Sequence, residues 1–152
     1  MCMTDTIIRH LQPDDRAEWL RMRLLLWPGQ SEEEHLREMG EILADSTSPV
    51  FVASRPNGRL GGFLEAGTHK YADGCNTSPV GYIEGWYVDP DLRRHGVGAM
   101  LVRAAEQWAH GQGCKEMASD CLLGNDESLQ AHLALDYEET ERIIHFRKSL
   151  EG

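Results

Sequence analysis

One stretch of the sequence, residues 85–98, limits the possible folds more than any other. It begins as the apolar run Gly85-Trp86-Tyr87-Val88, turns at Asp89-Pro90, and passes through a basic loop with two glycines into a helical pattern. The first N–H groups of a helix have no acceptor inside it, and the helix dipole favours an anion at that end. The stretch therefore predicts a strand, a phosphate-binding loop and a helix. It contains neither the Gly-Lys-Ser/Thr of a Walker loop nor the Rossmann glycine spacing.

Length, composition and charge narrow the class of protein. At 152 residues, with 41% hydrophobic and 26% charged residues, the chain is expected to be one soluble domain spanning residues 1–152. Its net charge of −10 argues against binding to nucleic acid or to an anionic membrane, because both need a basic surface. The charge suits a cationic partner, although solubility alone also explains it.

The N-terminus and the cysteines indicate a cytoplasmic protein. Residues 1–6 lack the basic region and the apolar run of a secretory leader, and no apolar run is long enough to span a bilayer. The cysteines Cys2, Cys75, Cys114 and Cys121 are scattered without a Cys-x-x-Cys pair, so we expect free thiols and no metal site. A cysteine nucleophile remains an open alternative, but no partner base stands out.

Periodicity and turn residues predict the element order β α α β β β α β α β. Asp15-x-x-Glu18 and Ser31-x-x-Glu34 are capping boxes that open the first two helices, and the second helix has an apolar stripe of Leu36, Met39 and Leu43. The strands are predicted at residues 6–11, 49–53, 60–68, 80–88 and 116–121, with one or two closing strands in residues 137–146; the later helices begin at Val97 and Asp126. Because strands and helices alternate only in the second half, we expect an α+β fold whose mixed sheet has one parallel crossover.

The fourth predicted strand combines glycines with a carboxylate. Strand alternation places Val80, Tyr82, Glu84, Trp86 and Val88 on one face, and Gly81 and Gly85 on the other. Glycines inside a strand are typical of a bulge or of a close backbone approach. Glu84 is unusual in an otherwise apolar strand, because carboxylates are rarely buried without a partner. It is either a site residue or a structural carboxylate.

The Arg-x-x-Gly-x-Gly run that begins at Arg93, after a strand ending in Val88, resembles the acetyl-CoA motif of the GCN5-related N-acetyltransferases (GNAT). The element order is similar to that of this superfamily over nearly the whole chain. Five local stretches resemble the bacterial aminoglycoside 6'-N-acetyltransferases within it: residues 26–29, residues 73–75 with Ser78-Pro79, Glu84-Gly85, residues 116–120 and residues 138–142. The resemblance implies the GNAT fold, a three-layer α/β arrangement in which helices flank a mixed, mostly antiparallel sheet.

The resemblance also implies ligands and residue roles. Acetyl-CoA would be the co-substrate, and the protein would form a homodimer. The end of the fourth strand, Trp86, Tyr87 and Val88, would pair with the pantetheine arm through its backbone. The pyrophosphate would bind to the loop of Arg93, Arg94, His95, Gly96, Val97, Gly98 and Ala99, and Asn125 would bind the cofactor beyond it. The positions that match aminoglycoside-binding residues are Trp27, Tyr71, Glu84, Asp120 and Glu141.

Acetyl transfer to an amine needs a deprotonated amine, a polarised thioester carbonyl and a proton for the departing thiolate. Glu84, on the same predicted face as Trp86, would hold the attacking ammonium and accept its proton, directly or through water. Asp120 ends the neighbouring strand, so the two carboxylates would converge. A backbone N–H near Val88 would polarise the carbonyl. Direct transfer in a ternary complex, without an acetyl-cysteine intermediate, is expected.

Each assignment has a structural alternative. Trp27 also fits a hydrophobic staple at a helix end, and Asp120 also fits a turn cap. Tyr71 and Glu141 also suit ordinary surface positions. His132 stands where many superfamily members have a tyrosine that protonates the thiolate, although a helix-surface histidine is the simpler interpretation. The acidic second helix is expected to be a solvated face that steers cations secondarily.

The resemblance therefore implies an aminoglycoside 6'-N-acetyltransferase that confers antibiotic resistance. Asp136-Tyr137 and His145-Phe146 depart from the usual pairs of this family, which leaves the substrate range open but does not affect the carboxylates. One alternative is an acetyltransferase for polyamines or protein amines; for polyamines, the stacking surfaces Trp27 and Tyr71 would be superfluous. The other is a non-catalytic acetyl-CoA-binding module, which would not need Glu84 and Asp120 together.

Overall fold

The computed structural model of the protein describes residues 5–152. The expectations for the residues before Asp5, including a free thiol at Cys2, lie outside the described residues. The chain divides into two compact units, of which the first ends at Ser119 and the second comprises Asp120–Gly152. Of the helices that the structure describes, none combines the length and the apolar character needed to cross a bilayer.

The first unit contains a five-stranded sheet and its flanking helices. The strands are β1 (Ile7–His10), β2 (Val50–Ser54), β3 (Leu60–His69), β4 (Val80–Val88) and β5 (Met117–Ala118), and the helices are α1 (Arg16–Leu26), α2 (Glu32–Ala44) and α3 (Val97–Gly111). The strands lie in the order β1-β2-β3-β4-β5. The first three pairings are antiparallel and β4 pairs with β5 in parallel, which confirms the mixed, mostly antiparallel sheet.

The helices cover both faces of this sheet. At Gly62 of β3, an added Cβ would lie 3.2 Å from Leu101 Cδ1 of α3. The next residue, Phe63, belongs to the core cluster that contains Trp19 of α1 and Met39 of α2. Because consecutive strand residues point to opposite faces, α3 lies on one face and α1 with α2 on the other. The first unit thus has the three layers that the resemblance implied.

The buried face of α2 differs from the predicted stripe. His35 and Met39 are fully buried, whereas Leu36 and Leu43 are 43% and 50% exposed. The buried histidine is satisfied because it accepts a hydrogen bond from Arg23. Hydrophobic spacing alone does not identify such a residue, because it assigns every histidine to the polar side.

Asp15 precedes α1 as predicted, but its side chain does not cap that helix. The carboxylate accepts the Gln12 N–H at 2.8 Å and pairs with Arg9 at 2.7 Å, and it forms no cap bond to α1. The predicted capping box is therefore wrong, because the arginine on β1 and the preceding turn compete for the same oxygens. The second box holds at its cap, where Ser31 Oγ accepts the Glu34 N–H at 3.1 Å.

The helix α3 largely follows its predicted face. Its buried residues are Val97, Leu101, Val102, Ala105 and Ala109. Ala104 and Trp108, which we also expected on this face, are half-buried. The helix ends at Gly111 as predicted, and Gly113 then takes a left-handed φ of 88°.

The second unit contains α4 (Asp126–Ala134), and residues 137–152 form neither helix nor strand. The prediction of one or two closing strands in residues 137–146 is therefore wrong. A strand needs a partner backbone to complete its hydrogen bonds, and side-chain alternation carries no information about that partner. β5 is likewise shorter than predicted, since it comprises 2 residues.

Candidate active site

A β-bulge at Glu84 interrupts the pairing of β3 with β4. Glu65 pairs with Gly85 and Ala66 pairs with Ile83, so Glu84 is an extra residue in β4. An extra residue shifts the alternation of the following side chains by one position. The bulge that the strand glycines predicted is thus present, directly before Gly85.

The bulge brings Glu84 and Gly85 to the same face of the sheet. A Cβ at Gly85 would lie 2.5 Å from Cη2 of Trp27, so this position faces the end of α1. A Cβ at Gly98 of α3 would lie 3.1 Å from Cζ2 of Trp86, so Trp86 faces the opposite side. The prediction that Glu84 and Trp86 share one face is therefore wrong, because a regular alternation does not include the extra residue.

A cavity of about 550 Å³ lies in front of Glu84, on the α1 side of the sheet. Trp27 lines it at the end of α1. Its charged lining residues are Arg23, Glu38, Glu41, Asp45, Glu65 and Glu84. Because carboxylates outnumber arginine, the cavity suits a cation. Part of the acidic face of α2, which we expected to be solvated, thus belongs to the wall of this cavity.

A buried ion pair joins the elements behind the cavity. Arg23 Nη1 donates to Glu65 Oε2 at 2.5 Å, and Trp19 Nε1 donates to the same oxygen at 2.9 Å. Arg23 Nη2 also reaches Glu38 Oε1 on α2 at 2.5 Å. Burial raises the pKa of Glu65, against the lowering effect of Arg23 and Trp19. These hydrogen bonds connect α1 with α2 and with β3 at the site.

The same arginine fixes Trp27. The guanidinium carbon of Arg23 lies 4.8 Å from the Trp27 ring centroid, and the Phe63 ring packs edge-on at 6.4 Å between centroids. Arg23 Nε donates to His35 Nδ1 at 3.2 Å, so the His35 proton is on Nε2, which lies 3.2 Å from the Trp27 carbonyl and donates to it. Both the ring and the backbone of Trp27 are therefore held beside the cavity.

His69, at the end of β3, hydrogen-bonds to Glu84. Its Nε2 lies 2.5 Å from Glu84 Oε1. The imidazole is nearly parallel to the Tyr82 ring, at 3° and 4.0 Å between centroids. The Glu84 side chain passes over Gly67, where an added Cβ would lie 3.9 Å from Oε1. One oxygen of the predicted catalytic carboxylate thus has a protein partner.

The predicted phosphate-binding loop forms the start of α3. Arg94 and Gly96 both have left-handed φ values, 65° and 82°, which turn the chain sharply before the helix. The first helical bond joins Met100 N–H to the Gly96 carbonyl at 3.0 Å, so the three preceding amides, from Val97 to Ala99, have no acceptor within the helix. These amides, with the basic residues beside them, form an anion-binding end.

One edge of β4 is only partly paired. β5 pairs with Gly81 and Tyr82, and the structure describes no strand beside Ile83–Val88 on that edge within residues 5–152. Arg93 folds back so that its Nε donates to the Val88 carbonyl at 2.8 Å. The segment that we expected to pair with pantetheine therefore lies next to the phosphate-binding loop, and none of the described strands pairs with it on that edge.

Tyr71 lies in the loop between β3 and β4, which Glu116 anchors. Glu116 Oε1 accepts the N–H groups of Asn76 and Thr77, each at 2.8 Å, and the Thr77 hydroxyl at 2.5 Å. The bond from the Thr77 hydroxyl, followed by that from the Asn76 amide, lowers the pKa of Glu116. Tyr71 itself is 73% exposed and does not line the cavity.

The other predicted site residues belong to the second unit. Asn125 caps α4, accepting the Ser128 N–H at 3.2 Å. The His132 ring donates from Nδ1 to the Ser128 carbonyl at 2.7 Å. Asp120 and Glu141 are exposed.

The sequence analysis missed the buried pair and His69. A signal existed for the pair, because Arg23 falls on the helical stripe of Trp19 and Trp27, and Glu65 lies inside an apolar strand. A charge on each of two predicted core faces indicates a buried ion pair. His69 had no such signal, because its contact depends on the register between two strands.

Thiols and metal ligands add little to the site. Burial raises the pKa of the Cys75 thiol, with a further contribution from Glu116, and burial also raises that of Cys114. Among the described residues, no group of three or more His, Cys, Asp and Glu side chains is arranged to hold a metal ion.

The chain belongs to the acetyltransferase (GNAT) family, whose family model matches residues 16–137. This range begins at the first residue of α1 and includes the bulge, the cavity and the phosphate-binding loop. The GNAT fold expected from the Arg-x-x-Gly-x-Gly run is thereby confirmed.

Curated relatives and solved structures specify the family further. The aminoglycoside N(6')-acetyltransferase type 1 of Klebsiella aerogenes is 43% identical over 147 residues, which cover 95% of this chain and 97% of the relative. An aminoglycoside antibiotic 6'-N-acetyltransferase from Acinetobacter haemolyticus, in its apo form, has a TM-score of 0.90 at 38% identity, covering 95% of this chain and 99% of that chain. The enzyme AAC(6')-Iy, in complex with the bisubstrate analog CoA-S-monomethyl-acetylneamine, has a TM-score of 0.88 at 39% identity, covering 95% and 98%. The resemblance seen in the five local stretches is thus confirmed.

Proposed function

We propose that this protein is an aminoglycoside 6'-N-acetyltransferase. The acetyl group of acetyl-CoA moves to the 6'-amine of the antibiotic: a C–N bond forms, the C–S bond of the thioester breaks, and the products are an amide, the CoA thiol and one proton. The observation that carries the proposal is the acidic cavity in front of Glu84. Two relatives named aminoglycoside N(6')-acetyltransferase type 1, at 43% and 41% identity, support the same reaction.

The residues present fit acetyl-CoA, which supplies the acetyl group as an activated thioester. We assign its pyrophosphate to the loop formed by Arg93, Arg94, His95, Gly96, Val97, Gly98 and Ala99, because the first amides of α3 have no acceptor within the helix. We assign its pantetheine arm to the backbone of Trp86, Tyr87 and Val88, because no described strand covers that edge. The role of Asn125 beyond the pyrophosphate rests on the resemblance alone.

The aminoglycoside is assigned to Trp27, Tyr71, Glu84, Asp120 and Glu141. Trp27 and Glu84 line the acidic cavity, which supports their part of this assignment. Tyr71, Asp120 and Glu141 are assigned on the resemblance. Each charge-assisted hydrogen bond between a carboxylate and an ammonium group contributes about 1.5–3 kcal/mol, so several carboxylates suit a polycationic sugar.

Glu84 is assigned as the proton acceptor for the 6'-ammonium group. Its carboxylate takes one proton, directly or through water, and the neutral amine then attacks the thioester carbon. Asp120 acts as a second carboxylate for the same amine, and a backbone N–H near Val88 polarises the carbonyl. His132 already donates its Nδ1 proton to Ser128, which supports a structural role rather than that of the general acid.

Transfer is direct, in a ternary complex. The raised pKa of Cys75 disfavours its thiolate, and the thiolate is the nucleophilic form of cysteine. Recovery of a kinetically competent acetyl group on Cys75 or Cys121 would contradict this part of the proposal.

Thiol release from acetyl-CoA tests the proposed function. We expect the parent protein to turn over kanamycin much faster than spermidine or a lysine peptide. Glu84→Gln should lower kcat for kanamycin by about 10²–10⁴-fold, the usual contribution of general acid–base catalysis, and Asp120→Asn should lower it as well. Glu33→Gln, which makes the same change at an exposed position of α2, is the control and should leave kcat unchanged.

Each other result identifies a different function. Turnover of spermidine alone would identify a polyamine acetyltransferase. Release of no thiol with any amine, while acetyl-CoA still binds, would identify a non-catalytic binding module.

For the proposed enzyme, acetylation removes a positive charge from the antibiotic and weakens its binding to ribosomal RNA. We therefore expect expression of the parent, but not of the Glu84→Gln variant, to protect bacteria against kanamycin.

We further propose that the chain is a single domain that forms a homodimer in the cytoplasm. The family model spans both compact units, which supports one domain over residues 1–152. Free thiols at Cys75, Cys114 and Cys121 suit a reducing compartment. The exposed apolar side chains of residues 143–150 support association with a second copy, since Ile144 and Phe146 are 75% and 90% exposed.

A further inference from the structure

His69 contacts the carboxylate to which we assign the substrate proton. His69 Nε2 lies 2.5 Å from Glu84 Oε1, and the side chains of His69 and Glu84 are 39% and 43% exposed, respectively. Both side chains line the acidic cavity. A pair this exposed contributes little to the stability of the fold, so its effect falls on the orientation and charge of Glu84.

Three features of the sheet hold the two groups together. The bulge adds Glu84 to the face that carries His69. Gly67, which pairs with Tyr82 and has no side chain, leaves a path along which the carboxylate reaches the imidazole. Tyr82 lies under the imidazole, at 4.0 Å between ring centroids, and fixes the plane of its donor. The contact therefore depends on the arrangement of the strands rather than on two flexible surface side chains.

On the basis of the role proposed for Glu84, we propose that His69 is its positioning residue. The imidazole donates its Nε2 proton to Oε1, which orients the carboxylate and leaves Oε2 to accept the proton of the substrate ammonium.

Two substitutions of His69 separate positioning from structure. His69→Ala should lower kcat for kanamycin by about 10- to 100-fold, because a misplaced catalytic group loses that much, with KM for acetyl-CoA unchanged. His69→Gln keeps an N–H donor near the same place and should restore most of the kcat. The control His110→Gln, at the exposed end of α3, should match the parent in kcat and in KM for acetyl-CoA.

A double variant tests whether His69 acts through Glu84. In the Glu84→Gln background, His69→Ala should cause no further loss of kcat, since residues that act as a unit are not additive. A parent-like kcat for His69→Ala, a His69→Gln variant as slow as His69→Ala, or an additive loss in the double variant would each overturn the inference. If Glu84→Gln loses activity while His69→Ala does not, only this inference fails. If Glu84→Gln is fully active, the role proposed for Glu84 fails with it.

Discussion

Arg23 shows how one buried charge both lines the cavity and holds other residues of the site in place. It holds Glu65 behind the cavity, reaches Glu38 on α2 and stacks on Trp27. Arg23 and Glu65 are 1% and 5% exposed, so neither charge has water as an alternative partner. Burying such a pair is costly in itself, and a hydrophobic replacement is often as stable. We infer that the pair serves to hold Trp27 and the cavity wall in place.

We therefore expect Arg23→Met to lower the free energy of unfolding by about 3–5 kcal/mol, because it leaves Glu65 buried without its partner. The double variant Arg23→Met/Glu65→Gln should recover much of this loss, since glutamine is uncharged and still accepts from Trp19. Denaturant unfolding measures both effects. Arg37→Met, which removes the same charge at an exposed position of α2, is the control. Equal stability of the single and double variants would show that the unpaired carboxylate is not the cause.

At the scale of the element, β4 owes its role to one extra residue. The bulge places Glu84 and Gly85 on the cavity face and moves Trp86 to the α3 face. It also makes glycine necessary, because the Trp27 ring occupies the space where a Cβ at Gly85 would lie, 2.5 Å from Cη2. At adjacent positions, β4 therefore carries the Glu84 carboxylate and leaves room at Gly85 for the Trp27 ring.

Gly85→Ala should lower the free energy of unfolding by about 1–3 kcal/mol, the usual cost of overpacking, and should raise KM for kanamycin by displacing Trp27. Adding Trp27→Leu should restore stability but not the KM. The matched control is Gly40→Ala in α2, where an added Cβ meets nothing within 4 Å and should stabilise the helix slightly. Thermal unfolding and steady-state kinetics measure these changes. A Gly85→Ala protein as stable as the parent would contradict the close contact with Trp27.

At the scale of the whole molecule, the structure of a single chain does not explain the C-terminal segment. Residues 138–152 are exposed throughout and form neither helix nor strand. Ile144, Phe146 and Leu150 are 75%, 90% and 93% exposed, which is unusual for large apolar side chains on a protein with a net charge of −10. A second copy that covers them would satisfy both their side chains and their backbone.

We expect the parent to be a dimer by size-exclusion chromatography with light scattering, and Ile144→Asp to be monomeric, because a carboxylate in an apolar interface is costly to desolvate. Leu25→Asp, at an exposed apolar position of α1, is the control and should remain dimeric. A monomeric parent would refute the homodimer. A dimer dissociated by Leu25→Asp but not by Ile144→Asp would place the interface elsewhere.

Local patterns accounted for most of the elements of this protein. Gly96 and Gly98 after Arg94, the turn at Asp89-Pro90 and the periodicity from Val97 were sufficient to predict the strand, the loop and the helix. Glu84 could also be singled out from the local sequence, because a carboxylate is unusual in an otherwise apolar strand. The prediction of closing strands in residues 137–146 failed because strand pairing is not a local property, and the structure describes no strand there.

The sequence by itself determined the class of protein, because a phosphate-binding loop depends on the backbone preferences of consecutive residues. Only the tertiary structure decided which side chains meet. The bulge set the face of Glu84, the strand register brought His69 to its carboxylate, and the packing of α1 on the sheet buried Arg23 against Glu65. The physical reason is that each of these contacts joins residues from different elements, and the distance between them depends on the whole first unit rather than on any local pattern.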